Sequence, residues 1–182
     1  MAEENQFIVT GDRKEFERKR QEEGVYDATV TTPDRYINPE AYGSVIYREL
    51  SENIDWSDES YRLLDLGSSS GEAVSKLAER LEAETEAEFE AYALDVDREM
   101  MERCFEYSES RPVSGKAQQL PFRDRSIDIL VSNQLNLIPE DIERVVEEAN
   151  RVLRPDGAAV LAEGYELPEA DYTGLHRGNI TE

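Results

Sequence analysis

Two aspartates and a short glycine-bounded turn carry the chemistry that this sequence offers. Asp65 sits near the end of an apolar run, Leu63-Leu64-Asp65-Leu66, that leads directly into Gly67-Ser68-Ser69-Ser70-Gly71. Asp95 closes a second apolar run, Phe89–Leu94, twenty-four residues past Gly71. A carboxylate at the first position can accept a hydrogen bond from an amine. One at the second can accept both hydroxyls of a ribose, with Val96 beside the base. The turn aims backbone N–H groups and a helix N-terminus at whatever lies beyond the strand, which favours a polar or anionic ligand. Asp97 suits a helix N-cap better than a second ribose contact.

The same turn also fits Gly-x-Ser-x-Gly, the nucleophile elbow of α/β-hydrolases, with Ser69 as nucleophile and His176, the single histidine, as base. Against an esterase, too few strands precede the turn, no glycine-rich oxyanion loop lies upstream, and His176 falls in the polar tail Leu175–Glu182. A nicotinamide-dependent oxidoreductase is disfavoured as well. The third glycine of G-x-G-x-x-G is missing, and no Tyr-x-x-x-Lys motif is present.

The elements that must position these residues follow from periodicity. Val74, Leu77, Ala78 and Leu81 recur at helical spacing after the turn. A second helix is expected over Arg98–Tyr107, with Met100, Met101, Cys104 and Phe105 facing inward. A third is expected over Pro139–Leu153, with Ile142, Val145, Val146, Ala149 and Val152 on one face. Pro112–Lys116, Ser126–Ser132 and Ala158–Glu163 read as further strands, the last after a turn at Arg154–Gly157. Strands alternating with helices of this length imply βαβ units: an α/β, doubly wound, mostly parallel sheet. Its ligand would bind beyond the carboxyl ends of the strands.

Upstream, Pro39–Ile54 reads as a helix with Asn38 as N-cap. Its tyrosines, Tyr42 and Tyr47, with nearby Tyr36, either dock the helix on the domain edge or reach over the ligand. The charged stretch Met1–Gly24 reads as a solvated arm with a helix from about Asp12 to Glu23. Three regions result: an N-terminal helical arm or cover over 1–60, a ligand-binding core over 61–163, and a short polar tail over 164–182.

Composition narrows the partners. The formal net charge is −22, from 42 acidic against 20 basic residues, and this surface would repel nucleic-acid phosphates. Lysine occurs only at positions 14, 19, 76 and 116, and so acidic and lysine-poor a balance suggests a salt-loving source. The single cysteine, Cys104, excludes an intramolecular disulfide and a cysteine-based zinc site, and no other metal site is expected. No apolar run approaches the ~20 residues that span a bilayer, and no signal peptide is recognisable, so a cytoplasmic location without membrane association is expected.

Taken together, these motifs resemble the class I, Rossmann-like S-adenosylmethionine-dependent methyltransferases with small-molecule substrates. LLDLGSSSG resembles their first motif and YALDVDREMMERC their second. AQQLPFRDRSIDILVSN resembles the third and fourth, and EEANRVLRPDGAAVLAE the helix, turn and strand that follow, so the likeness covers about 61–163. The resemblance implies S-adenosylmethionine as cofactor. Asp65 would then lie near the methionine amine, while Gly67, Ser68, Ser69 and Gly71 wrap the methionyl and ribose portion. Asp95 takes the ribose hydroxyls, with Val96 beside the adenine. Ala117 and Gln118 face the adenine edge, and Asn133 borders the methyl. Tyr36 and Tyr42 become candidates for orienting the acceptor; no catalytic base is assigned. The acceptor would be a small molecule, neutral or cationic on so acidic a surface.

Three departures stand out. Ser69 replaces the usual middle glycine, which is tolerable at negative φ. Lys116 stands where many relatives carry an acid toward the adenine amino group, and an ammonium cannot accept that hydrogen bond. The chain after the fifth strand is too short for the family's final helix and antiparallel strand pair. The sheet is therefore expected to lack those strands, or to have its edge covered otherwise; an open edge would invite a homodimer. The alternative function is a non-catalytic module of the same fold that binds the cofactor or a partner.

Overall fold

The computed structural model describes residues 6–10, 39–133, 135, 139–162 and 175–177. Its elements are β1 (Gln6–Thr10), α1 (Pro39–Asn53), β2 (Ser60–Leu66), α2 (Glu72–Thr85), β3 (Glu88–Asp95), α3 (Arg98–Tyr107), β4 (Arg111–Ser114), β5 (Ile127–Asn133), α4 (Pro139–Val152), β6 (Leu153–Ala162) and β7 (Leu175–Arg177). They build one seven-stranded sheet in the order β4-β3-β2-β5-β6-β1-β7, and every pairing between these strands is parallel. The order reverses at β2, where the chain next goes outward to β3 and β4 and then returns to β5 on the other side. That is the switch point where a crevice opens above the strand ends.

Side chains alternate across the sheet, so each face has its own core. Leu63, Ile129, Val131 and Val160 pack with Ile46 and Leu50 of α1, with Val74, Leu77 and Leu81 of α2, and with Met101 and Cys104 of α3. Leu64, Leu66, Leu130 and Leu161 face the other way, onto Ile142, Val145 and Ala149 of α4. Fully burying each such leucine or isoleucine is worth about 2–3 kcal/mol.

Three expectations change here. Gln6–Thr10 is not part of a solvated arm: it is β1, paired in register with Ala158–Ala162 of β6. The expected shortening of the sheet is also revised. The positions beyond β6 are filled, by parallel strands β1 and β7 rather than by an antiparallel C-terminal pair. The edge of β6, from which a homodimer was expected, is therefore covered. Finally, Phe105 does not face inward. Among the described side chains of α3, Met101 and Cys104 are the buried ones, and Phe105, about 100° further round the helix from Cys104, is 77% exposed. The expected helix from Asp12 to Glu23 and the cap at Asn38 lie outside the described residues.

Helix α1 is anchored on α2. Tyr47 of α1 hydrogen-bonds Glu84 near the end of α2, and the Arg80 guanidinium lies 3.5 Å over the Tyr47 ring. That hydrogen bond, with burial next, pushes the Tyr47 hydroxyl above its usual pKa. The C-terminal half of α1 thus lies beside the last turn of α2 and leads into the start of β2. The turn expected at Arg154–Gly157 becomes an irregularity within β6. Ile127 pairs with Leu153, but Ile129 pairs with Ala158, and Asp156 takes a positive φ of 68° in the extra loop.

Candidate functional site

The glycine turn leaves β2 and is stitched onto the end of β3. Gly67 N and Ser68 N both donate to Leu94 O, at 2.9 and 3.0 Å, and Gly71 N closes the turn on Ser68 O at 2.9 Å. Asp95 completes the junction. Its Oδ2 accepts from Ser69 N and its Oδ1 from Asp97 N, each at 2.9 Å. Each carboxylate oxygen keeps a second acceptor position, so the half-buried side chain can still receive two hydroxyls. Asp97 is the N-cap of α3, accepting from Glu99 N and Met100 N. Asp65 and Asp95 thus sit at the ends of two adjacent strands, with Asp65 paired in register with Ala93. Asp65 is almost completely buried, Val96 is 68% exposed, and an aliphatic side chain standing open beside Asp95 suits the face of a flat apolar ring.

Two glycines lie close to their neighbours, Gly71 against the packed interior and Gly67 against the movable end of one leucine side chain. A Cβ on Gly67 would lie 2.7 Å from Leu135 Cδ1, and one on Gly71 would lie 2.6–2.9 Å from Ser110 Oγ, Cys104 Sγ and Ala93 Cβ. Both have positive φ, 72° and 73°. The Gly71 constraint therefore comes from the protein interior. Ser69 also has positive φ, 51°, so the negative φ that would make a serine easily tolerated is not met. A side chain in this left-handed region costs about 1 kcal/mol relative to glycine, and the Ser69–Asp95 hydrogen bond helps hold it.

Ser68 supplies the most direct sign of a ligand. It is 2% exposed, and its hydroxyl is the one buried side-chain oxygen or nitrogen among the described residues without a hydrogen-bond partner. A buried hydroxyl in that state costs roughly 1–3 kcal/mol, so such groups usually have a partner supplied from outside the chain.

Past β4, Gly115 N donates to Asp95 O at 3.0 Å, which brings the 116–120 loop beside the Asp95 tip. Ala117 is buried, Gln118 is half-buried and Lys116 is exposed. Asn133 ends β5, immediately beside the switch point; Tyr42 lies on α1, and Tyr36 lies outside the described residues. Ser69 and His176 are not brought together. In register, Asp65 pairs with Val131, Val131 with Val160, Val160 with Ile8 and Ile8 with His176. Four inter-strand spacings put His176 about 19 Å from β2, which removes the esterase arrangement.

The sequence pattern missed Leu135, which packs on Gly67, and a serine pair behind the turn. Ser108 Oγ donates to Gly71 O at 2.9 Å and lies 2.6 Å from Ser110 Oγ. The polar run Ser108-Glu109-Ser110 looks like an ordinary helix exit, and only the fold brings it under Gly71. Among the described residues no group of three or more His, Cys, Asp or Glu side chains could hold a metal ion, and no helix is long and apolar enough to cross a membrane.

A parallel α/β sheet, a glycine turn at the switch point and an acidic residue ending the next strand define a Rossmann-like nucleoside-binding domain. Residues 64–161 match the methyltransferase-domain family, so the chain belongs to that family, whose cofactor is S-adenosylmethionine. The chain is 27% identical over 111 residues to the uncharacterized methyltransferase YcgJ of Bacillus subtilis, covering 58% of this chain and 41% of that protein. It is 28% identical over 163 residues to the malonyl-[acyl-carrier protein] O-methyltransferase of a Marinomonas species, covering 86% of this chain and 56% of that protein. The chain thus spans about half the length of the curated relatives it matches. Among solved structures, the Pyrococcus horikoshii protein PH0226 shares the fold at a TM-score of 0.56 with 22% identity, covering 80% of this chain and 64% of that one.

Proposed function

We propose that this protein transfers a methyl group from S-adenosylmethionine to a small-molecule acceptor. The observation that carries the reading is the Ser68 hydroxyl, buried and unpartnered inside a turn whose next residue is hydrogen-bonded to Asp95. In this reading Asp65 holds the amine, and Gly67–Gly71 wrap the methionyl and ribose portion. Asp95 takes the ribose hydroxyls, Val96 lies against the adenine, and Ala117 with Gln118 meets its edge. The cofactor, when bound, supplies a methyl on a sulfonium, an excellent leaving group.

The protein's own work is then to align and to exclude water. Asp95 already receives two backbone amides, so its carboxylate is held in place before any ligand arrives. Leu135, packed on Gly67, offers an apolar wall at the β2–β5 crevice. Asn133 at the end of β5, with Tyr36 and Tyr42 from the N-terminal region, orients the acceptor. The N-terminal region up to residue 60 contributes this cover outside β1, and 61–163 form the binding core, with β1 and β7 added to the sheet beyond β6.

The acceptor is taken to be small and neutral or cationic. The malonyl group in the Marinomonas relative's name carries a carboxylate, and a chain of net charge −22 works against an anionic acceptor. A non-catalytic cofactor-binding module remains the second reading, because Lys116 places an ammonium at the adenine side. A cytoplasmic setting in a salt-loving cell fits the charge balance.

The test is calorimetry with S-adenosylhomocysteine in molar potassium chloride. Binding in the micromolar range is expected, with Asp95→Ala losing at least a hundredfold and Asp95→Asn less. No binding to the wild-type protein would end the reading. Transfer of labelled methyl from bound S-adenosylmethionine to a panel of small amines and alcohols then separates the enzyme from the module.

A further inference from the structure

We propose that Arg151 and Glu148 of α4 are positioning residues for the 116–120 loop and set the preference of the site for adenine over other purines. The inference rests on the function proposed above.

The loop from Lys116 to Arg125 contains Pro121 and short local bonds, such as Gln119 N to Lys116 O at 3.0 Å. Its shape is imposed from α4. Arg151 Nη2 donates to Leu120 O at 2.9 Å, and Nη1 donates to Phe122 O at 2.9 Å and to Asp124 Oδ1 at 2.8 Å. Glu148 binds the same guanidinium twice, at 2.7 Å from Nε and 2.7 Å from Nη2. Its Oε2 also accepts Leu120 N at 2.6 Å. The pair therefore holds both backbone groups of Leu120, three residues from Ala117 and two from Gln118. Arg125 N and Ser126 N are bound to Arg151 O and Val152 O, which fixes the loop's far end on the same helix.

A planar guanidinium with five donors in a fixed fork can satisfy two carbonyls and two carboxylates at once, and an ammonium cannot reproduce those directions. Neither residue reaches the Asp95 tip itself. Their effect on a ligand passes through the loop, whose backbone would present donors and acceptors to the edge of a purine. Adenine and hypoxanthine share a shape and differ at that edge: one offers an amino donor, the other a carbonyl acceptor. A site that reads the edge through a rigid loop discriminates between them, and one whose loop wanders does not.

The test uses the full chain in molar potassium chloride, with S-adenosylhomocysteine and S-inosylhomocysteine as calorimetric probes. Wild-type protein is expected to prefer the adenine probe by tenfold or more. Arg151→Lys should weaken the adenine probe about tenfold and the hypoxanthine probe little, bringing the ratio toward one. Amide exchange at Ala117–Leu120 should quicken in the same variant. If Arg151→Lys does not fold, Glu148→Gln gives the same readout in smaller measure, because its amide oxygen still accepts Leu120 N. Equal loss for both probes, or an unchanged ratio, overturns the proposal while leaving methyl transfer intact. Failure of the wild-type protein to bind either probe instead removes the function on which the proposal rests.

Discussion

Replacing Gly71 with alanine probes how tightly the turn is built into the interior. The new methyl would sit 2.6 Å from Ser110 Oγ, 2.7 Å from Cys104 Sγ and 2.9 Å from Ala93 Cβ. Ordinary contacts for such a carbon begin near 3.4 Å, and Ala93 and Cys104 are both fully buried, so neither can swing away. Overpacking of this kind costs about 1–3 kcal/mol. The φ of 73° adds about 1–2 kcal/mol for a residue with a Cβ. The smaller entropy of an unfolded alanine chain returns about 0.4–1 kcal/mol. The net expectation is a loss of about 2–4 kcal/mol, a large part of the stability of a domain this size. Urea denaturation at fixed high salt is the suitable assay, since guanidinium would itself screen so acidic a chain. Pairing the change with Cys104→Ala removes the nearest sulfur and should give a favourable coupling above about 0.5 kcal/mol. A loss below 1 kcal/mol, or no coupling, would refute the argument that the interior rather than the ligand dictates Gly71.

Ser69→Gly should do the reverse, raising the urea midpoint by the equivalent of about 0.5–1 kcal/mol without changing the slope, because it relieves φ 51° and keeps the amide bonded to Asp95. Glu148 is held below the usual carboxylate range, chiefly by its hydrogen bonds with Arg151, which outweigh the opposing effect of burial, with a further contribution from Leu120 N. A carboxylate with a lowered folded pKa adds stability above the unfolded value and loses it as pH falls through the folded one. Stability should therefore drop below about pH 4.5 less steeply in Glu148→Gln than in the wild type, as followed by urea midpoints against pH. Cys104, fully buried beside Ser110, should resist a thiol reagent in the native state and react stoichiometrically in urea.

Local periodicity made most of the architecture readable. Arg98–Tyr107 and Pro139–Val152 show their helices in three- and four-residue spacing, and the turn between β2 and α2 announces itself through its glycines. β1 gave no comparable signal. Phe7, Ile8 and Val9 are a short apolar run among charges, and what makes them a strand is pairing with β6, a partner far along the chain. The exposure of Phe105 is not legible because an amphipathic helix does not say how wide its buried stripe is, and α3 packs on a narrow one. The positive φ of Ser69 is not legible in the residue type, since a serine can be held in the left-handed region when its amide has a fixed acceptor. The clamp of Glu148 and Arg151 reads in sequence as an ordinary exposed pair on a helix, and what it grips is visible only once the loop is folded back. Asp65, Asp95 and the turn were legible as a constellation because chemistry and strand order constrain them together.

The pairing of β1 with β6 also has a consequence for how the chain is made. Ala158, the partner of Gln6, is synthesised some 150 residues after it, and closing so long a loop costs about 4 kcal/mol in chain entropy on the simplest estimate. β2 to β5 and their helices can assemble without waiting, while β1 must remain unpaired until β6 has been made. Folding should therefore finish in a separate, slower phase at this seam.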